Sequence, residues 1–140
     1  MMKLLGAAVM VGVVGCSGEP PPPGEGSFPA DPFAAVQSDD GALVIEIRTA
    51  PSQPPQRGIT DAELRVSDGA GNPVSDLDVD VEPWMVDMGH GAPTDPVVAA
   101  EGGGRYTASN VNFFMPGRWE LRMTFGGGLV DRAAVELQIP

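Results

Sequence analysis

The stretch LDVDVE, residues 77–82, alternates strictly between aliphatic and acidic side chains. Successive side chains of a β-strand point to opposite faces of the sheet, so a strand here places every aliphatic residue on one face and every carboxylate on the other. An α-helix would distribute both kinds around its axis. The pattern therefore predicts a strand with one buried face and one charged face in solvent.

The same period-2 alternation recurs through the rest of the chain, and no stretch shows helical periodicity of useful length. Further strands are predicted at residues 43–48, 62–67, 96–100, 105–111, 119–125 and 132–139. Seven short strands separated by turn signals predict an all-β fold, a single immunoglobulin-like antiparallel β-sandwich that occupies residues 42–140.

The connections between the predicted strands fall into two classes. Those at residues 68–73, 102–104 and 126–128 are short and rich in glycine, whereas the other three are longer and contain proline. If neighbouring strands alternate in direction, the glycine turns share one end of the sandwich and the longer loops share the other. Residues 85–90 and Met115 are then expected at the same end. The first predicted strand starts at the glycine end, so the segment that precedes it is expected to leave the domain there. If that segment is anchored to a membrane, the longer loops are expected to point away from the membrane.

The N-terminal residues predict export and a lipid anchor. Lys3 precedes an apolar run of eleven residues, 4–14, which is too short to span a bilayer because a spanning helix needs about 20 apolar residues. The run ends in the letters VVGC and resembles the bacterial lipobox, in which cleavage leaves a lipidated cysteine as the new N-terminus. We expect a signal peptide at residues 1–15 and a lipid on Cys16, with an ordinary secretory signal as the alternative. Ser17 then indicates the outer membrane, facing the periplasm, in a Gram-negative cell.

A tether is predicted between the anchor and the domain. Residues 16–41 contain four consecutive prolines and many Gly, Glu, Ser and Asp residues, a composition typical of an extended or flexible linker with a reach of at most about 80 Å. Phe28 and Phe33 are unusual in such a segment, and the sequence leaves open whether they dock on the domain. Cys16 is the only cysteine, so no intramolecular disulfide can form.

Charge and residue inventory exclude several classes of function. Without the signal peptide the chain has 7 Arg against 19 Asp and Glu, a net charge of −12. Such a chain is repelled by nucleic acid. One histidine, no thiol beyond Cys16 and no glycine-rich phosphate loop offer no nucleophile with a base, so no enzyme activity is expected.

The chain's single histidine lies in the run MVDMGH, residues 85–90, and a further methionine lies in FFMPG, residues 113–117. Thioether sulfur with neutral imidazole is a donor set that suits Cu(I). Glycines within the first run allow the chain to turn, as convergence of the donors requires. The alternative is that Met85, which continues the inward-facing series of its strand, and Met115, which follows two phenylalanines, fill the core.

Three segments carry a resemblance to a known family: residues 85–90, residues 104–106 and residues 114–121, the last of which reads FMPGRWEL. Over residues 58–140 the chain resembles the YtkA-like domain family, which is related to FixH-like proteins. The resemblance implies an immunoglobulin-like envelope domain, in some members associated with copper handling or respiratory-oxidase assembly.

The resemblance also implies a ligand set, because Met85, Met88, His90 and Met115 match the positions where such domains place Met and His. The expected function is a lipid-anchored cell-envelope protein that binds Cu(I) through these residues, more weakly at acidic pH because only neutral imidazole coordinates a metal. The alternative is a metal-free interaction or scaffold module that docks another envelope protein through its long-loop end or its acidic face. The sequence leaves the partner and the oligomeric state open.

Overall fold

The alternating stretch at residues 77–82 lies within a strand, Leu77–Met85, that pairs along its whole length with Gly117–Gly127. The computed structural model describes residues 28–140, so the predicted signal peptide, the predicted lipidation of Cys16 and the first part of the predicted tether lie outside the described residues. Within residues 28–140 there is no helix long and apolar enough to cross a bilayer. The predicted fold class is confirmed, with nine strands rather than seven. They are β1 (Ala34–Gln37), β2 (Leu43–Ala50), β3 (Gly58–Asp68), β4 (Leu77–Met85), β5 (His90–Gly91), β6 (Val97–Gly102), β7 (Arg105–Phe113), β8 (Gly117–Gly127) and β9 (Asp131–Ile139).

The strands form two sheets that pack face to face. The first sheet has the order β1-β2-β3-β7-β6 and the second the order β5-β4-β8-β9, with every neighbouring pair antiparallel. Their inner faces bury the aliphatic and aromatic residues that the alternation marked, each contributing about 1.5–3 kcal/mol of hydrophobic stabilisation. The largest of these buried side chains are Trp119, Tyr106, Phe113, Phe125, Leu43, Ile45, Ile47, Leu64, Leu121, Met123 and Ile139.

Two short strands were not predicted, β1 and β5. β1 lies inside the segment expected to be a tether, so the folded domain begins earlier than the predicted boundary at residue 42. It forms because four residues, AAVQ, pair with β2 while Phe33 packs against the core and donates its N–H to the carbonyl of Ile47 at 3.0 Å. Phe33 therefore docks on the domain, which the sequence left open, and Phe28 is half-buried.

The residues before β1 are held to the first sheet by side chains that donate to backbone carbonyls. The guanidinium of Arg48 donates to the carbonyl of Pro29 at 3.1 Å and to that of Ala30 at 2.8 and 3.2 Å. The amide of Gln53 donates to the carbonyl of Asp31 at 2.8 Å. We call residues 28–33 the N-terminal strap.

Arg48 is a buried cation on the outer side of the first sheet, with a side chain only 5% exposed. Its charge is balanced by Glu46 at 3.1 Å and by Glu63 at 3.9 Å. Glu63 is itself 1% exposed and also contacts Arg65 at 3.0 Å and Arg105 at 3.8 Å. Burial of these charges is tolerated because each has opposite charges or hydrogen-bond acceptors around it.

Strand register places the longer loops at one end of the sandwich, which we call the rim (residues 51–57, 86–89 and 114–116). Ala50 pairs with Asp61, Gly58 with Phe113, Met85 with Trp119, and Gly117 with Ile139. The opposite end, which we call the glycine end, comprises the turns at residues 38–42, 69–76, 103–104 and 128–130. As expected, residues 85–90 and Met115 share one end.

The entry point of the chain differs from the expectation. Ala34 pairs with Ile47 near the end of β2, so the chain enters β1 at the rim and not at the glycine end. The reason is the unpredicted β1, which forms a hairpin with β2 and adds one reversal of direction before the first predicted strand. The segment before the domain therefore emerges beside the longer loops.

Gly104 offers a direct test of the packing at the glycine end. A Cβ there would lie 2.6 Å from the carbonyl oxygen of Val66 and 2.9 Å from Cβ of Pro73, at a φ of +79°. We expect Gly104→Ala to lower the free energy of unfolding by more than about 2 kcal/mol, because backbone atoms must move. Gly103→Ala is the control, since its φ is +65° but nothing lies within 4 Å, and it should cost about 1 kcal/mol. Equal losses in urea denaturation would contradict the close approach at Gly104.

The hold of Arg48 on the strap is testable with a matched pair of variants. Arg48→Met keeps an apolar stem but removes the donors, so we expect faster exchange of the strap amide that donates to β2, that of Phe33, and a stability loss of about 3 kcal/mol, because Glu63 stays buried with less compensation. Arg65→Met also removes a cation from Glu63 but does not touch the strap, and should leave exchange at residues 28–33 unchanged. Hydrogen exchange followed by mass spectrometry would measure both. Equal protection of the strap in the two variants would contradict its attachment through Arg48.

Candidate functional site

β5 brings His90 back beside the end of β4. Between them, residues 86–89 form a tight turn in which the N–H of Gly89 donates to the carbonyl of Met85 at 2.9 Å, with Gly89 at a φ of +70°. Met85 then pairs with His90. The turn expected at Gly89 is thus present, and it presents Met88 and His90 together at the rim.

The imidazole of His90 is exposed and has a defined orientation. Its Nδ1 lies 2.9 Å from the carbonyl oxygen of Gly91, and because a carbonyl can only accept, a hydrogen bond between them requires the proton on Nδ1. Nε2 of the neutral ring is then the nitrogen with the lone pair. The ring stacks against Phe114, with centroids 6.4 Å apart and planes 17° from parallel. His90 is therefore held next to the loop between β7 and β8.

The backbone of that loop is held in place by buried aromatic residues. Trp119 is fully buried, and its Nε1–H donates to the carbonyl of Met115 at 2.9 Å. Phe113 and Phe114 each contact Trp119 edge to face, at centroid distances of 5.3 and 5.6 Å. A rigid aromatic cluster thus sets the backbone of Met115, while the Met115 side chain is 38% exposed.

The two loops are also joined to each other directly. The N–H of Val86 donates to the carbonyl of Arg118 at 3.0 Å, and the Arg118 guanidinium lies 3.5 Å from a carboxylate oxygen of Asp87. A Cβ built on Gly117 would lie 3.4 Å from the terminal methyl of Met85. These contacts hold residues 85–90 next to the loop that contains Met115, at the same end of the sandwich as expected.

The four predicted ligands fall into two groups. Met88 is 55% exposed, Met115 is 38% exposed and His90 is exposed, all on the rim. Met85 is only 3% exposed and belongs to the core, opposite Trp119. For Met85 the structure therefore favours the packing alternative, because the inward series of β4 continues to the last residue of the strand.

The acidic side chains that the structure describes do not form a metal site. In residues 28–140, no three His, Cys, Asp or Glu side chains converge to hold a metal ion. The exposed carboxylates of Asp78, Asp80 and Glu82 project from the outer face of β4. Besides the Asp87 carboxylate, which faces Arg118, the rim carries thioether sulfur and imidazole nitrogen, groups that suit a soft monovalent ion better than a hard divalent one.

Sequence reasoning missed the aromatic residues that position the site. Phe114, which stacks on the imidazole, and Trp119, which donates to the carbonyl of Met115, are not among the predicted site residues. The signal available in the sequence was that both residues lie within four positions of Met115. Trp84 lies on the outer face of the second sheet. The guanidinium carbon of Arg122 is 4.2 Å from the centroid of its ring, a cation–π contact that does not involve the residues of the rim.

The chain matches a known family. The family model described as YtkA-like matches residues 39–124, more than half of the chain, and the match includes His90 and all the methionines of the rim. It overlaps the residues on which the resemblance was noted. No curated protein and no solved structure matches the chain.

The tautomer of His90 is directly measurable. We expect long-range ¹H–¹⁵N NMR spectra of the neutral ring to show a protonated Nδ1 and an unprotonated Nε2, because the Gly91 carbonyl accepts from Nδ1. A neutral ring protonated at Nε2 would contradict the hydrogen bond and would place the metal-binding lone pair on the nitrogen that faces the backbone.

Proposed function

The chain belongs to the YtkA-like family, and from that premise we propose that its domain binds Cu(I) at the rim. The proposed donors are Nε2 of His90 and the thioether sulfurs of Met88 and Met115. One observation carries the proposal: an exposed imidazole, with Nδ1 occupied by the Gly91 carbonyl, is stacked against the loop that exposes Met115 and follows Met88 by two residues. Met85 supports the site from the core.

The chemistry of the donors explains the choice of ion. Thioethers and neutral imidazole bind Cu(I) without needing thiolate or carboxylate. Fixing one ring nitrogen through a backbone carbonyl orients the other, as is usual for metal-bound histidine. Protonation of the ring blocks coordination, so affinity decreases as the solution is acidified. Copper is cargo in this proposal: the domain buffers it or passes it on in copper handling or oxidase assembly, with no catalytic step of its own.

We place the protein in the cell envelope, held to a membrane by a lipid on Cys16. The support is the sequence alone: a short apolar run after Lys3, a VVGC ending and a proline-rich segment before the domain. In a Gram-negative cell, Ser17 favours the outer membrane facing the periplasm.

A second function is favoured by the exposed apolar side chains of the rim. Ile59 is 62% exposed and lies at the same end as Met88 and Met115. Apolar side chains grouped in this way are common at protein-binding surfaces. The alternative is a metal-free module that docks another envelope protein, and it requires no affinity for copper.

Competition with a chromogenic Cu(I) chelator under reducing conditions separates these functions. The experiment uses the chain with Cys16→Ser, because a free thiol would bind Cu(I) itself. We expect His90→Ala and Met88→Leu each to weaken binding by at least about tenfold, since loss of a ligand exceeds the usual cost of losing a supporting contact. Met123→Leu, a volume-conserving change in the core, is the control and should leave the affinity unchanged.

Met85→Leu tests the assignment of the fourth methionine and should also leave the affinity unchanged. A large loss there would return Met85 to the donor set. Competition that is unaffected by both His90→Ala and Met88→Leu would refute the copper site and leave the docking module as the better function.

A further inference from the structure

The strap fixes the direction in which the chain approaches the domain. Arg48 holds the carbonyls of Pro29 and Ala30, and Gln53 holds that of Asp31. These contacts lie at the rim, where β2 ends and β1 begins. Whatever precedes residue 28 therefore starts its course at the end of the sandwich that carries His90.

Chain length restricts how the domain can be presented to a surface that holds Cys16. Twelve residue steps separate Cys16 from Phe28, a reach of at most about 40 Å. The longest strands have 11 residues, so the sandwich is about 35 Å from rim to glycine end. With the glycine end on the surface, the connecting segment would have to run almost fully extended along the domain. With the rim towards the surface, the distance to be bridged is much shorter than this reach, so no such extension is required.

The side chains exposed at the two ends also favour the rim as the end that faces the surface holding Cys16. Of the five most exposed large apolar residues within residues 28–140, Met88 and Met115 lie in the rim and Ile59 lies beside it at the start of β3. The charge of Asp87 in the rim is paired with Arg118. Apolar side chains gain free energy at a lipid interface, whereas carboxylates are repelled by anionic headgroups. The glycine end carries the acidic residues Asp39, Asp40, Asp68 and Asp76, whereas the exposed carboxylates near the rim, Asp31 and Asp61, are accompanied by the exposed guanidinium of Arg57.

We propose that the rim is the membrane-facing end of the domain, with Met88 and Met115 lying against the lipid surface to which Cys16 is attached. The proposal rests on the lipid anchor of the proposed function but not on copper. It commits the apolar rim to one occupant, the lipid interface. Exchange of Cu(I) then takes place in the layer between the domain and the bilayer and not on a surface open to the bulk solvent.

The test imposes the anchor chemically, so it does not depend on processing in the cell. The chain from Cys16 to Pro140 has one thiol, which couples to a maleimide lipid in phosphatidylcholine vesicles. A methionine-selective oxaziridine is then added without copper, and mass spectrometry follows the modification of Met88 and Met115. We expect both to react several-fold more slowly than in the same chain free in solution. Met85 and Met123, which are buried, stay unmodified if the domain is folded.

The matched control attaches the same domain by its other end. The variant Cys16→Ser/Val130→Cys couples at the glycine end, where Val130 is 78% exposed and substitution has little effect on folding. In this form Met88 and Met115 should react as fast as in the free chain.

Equal rates in the two coupled forms would overturn the proposal and leave the rim open to a protein partner. Slower reaction in the form coupled through residue 130 would also overturn it. Because copper is absent, failure here leaves the Cu(I) titration untouched, and failure of that titration leaves this result standing.

Discussion

Arg48 is buried on the outer side of the first sheet, between the carboxylates of Glu46 and Glu63 and the carbonyls of Pro29 and Ala30. A guanidinium has five donors in a fixed plane, so it can satisfy carboxylate and backbone oxygens together. Because the cation is removed from water, those partners are required. This requirement holds the strap in place, the strap positions β1, and β1 decides that the chain enters the domain beside the rim.

The rim depends on the core in a second way. Trp119 fills the space between the sheets and uses its one polar atom to hold the carbonyl of Met115. Phe114 lies between that indole and the imidazole of His90. A surface group is thus positioned by contacts that continue into the buried core. Such support is what orients donors before a ligand arrives.

Period-2 alternation was sufficient to predict the strands that bury one face, because in them the hydrophobic pattern itself reports the local structure. It could not predict β1 or β5. The four residues of β1 are stabilised by pairing with β2 and by the docking of Phe33, which are contacts distant in sequence. The two residues of β5 are set by the turn at Gly89.

The candidate site could also be predicted only in part from the sequence. Its two loops were placed at one end correctly, because topology follows from strand count and turn type. Met85 could have been assigned to the core from its register in β4. The exposure of Met88 and Met115 could not, since an unbranched side chain on a loop carries no periodic signal. The missed hairpin reversed the expected entry point, which shows how strongly orientation depends on a single strand.

The pairing of Gly117 with Ile139 has a practical result for anyone working with this protein. A reporter or affinity tag fused after Pro140 starts at the rim beside residues 114–116 and would crowd Met115 sterically, although β9 and the β5 strand of His90 are opposite edges of the second sheet. The hairpin tip between β8 and β9, at the far pole, is the position for an insertion that leaves the imidazole and thioethers clear.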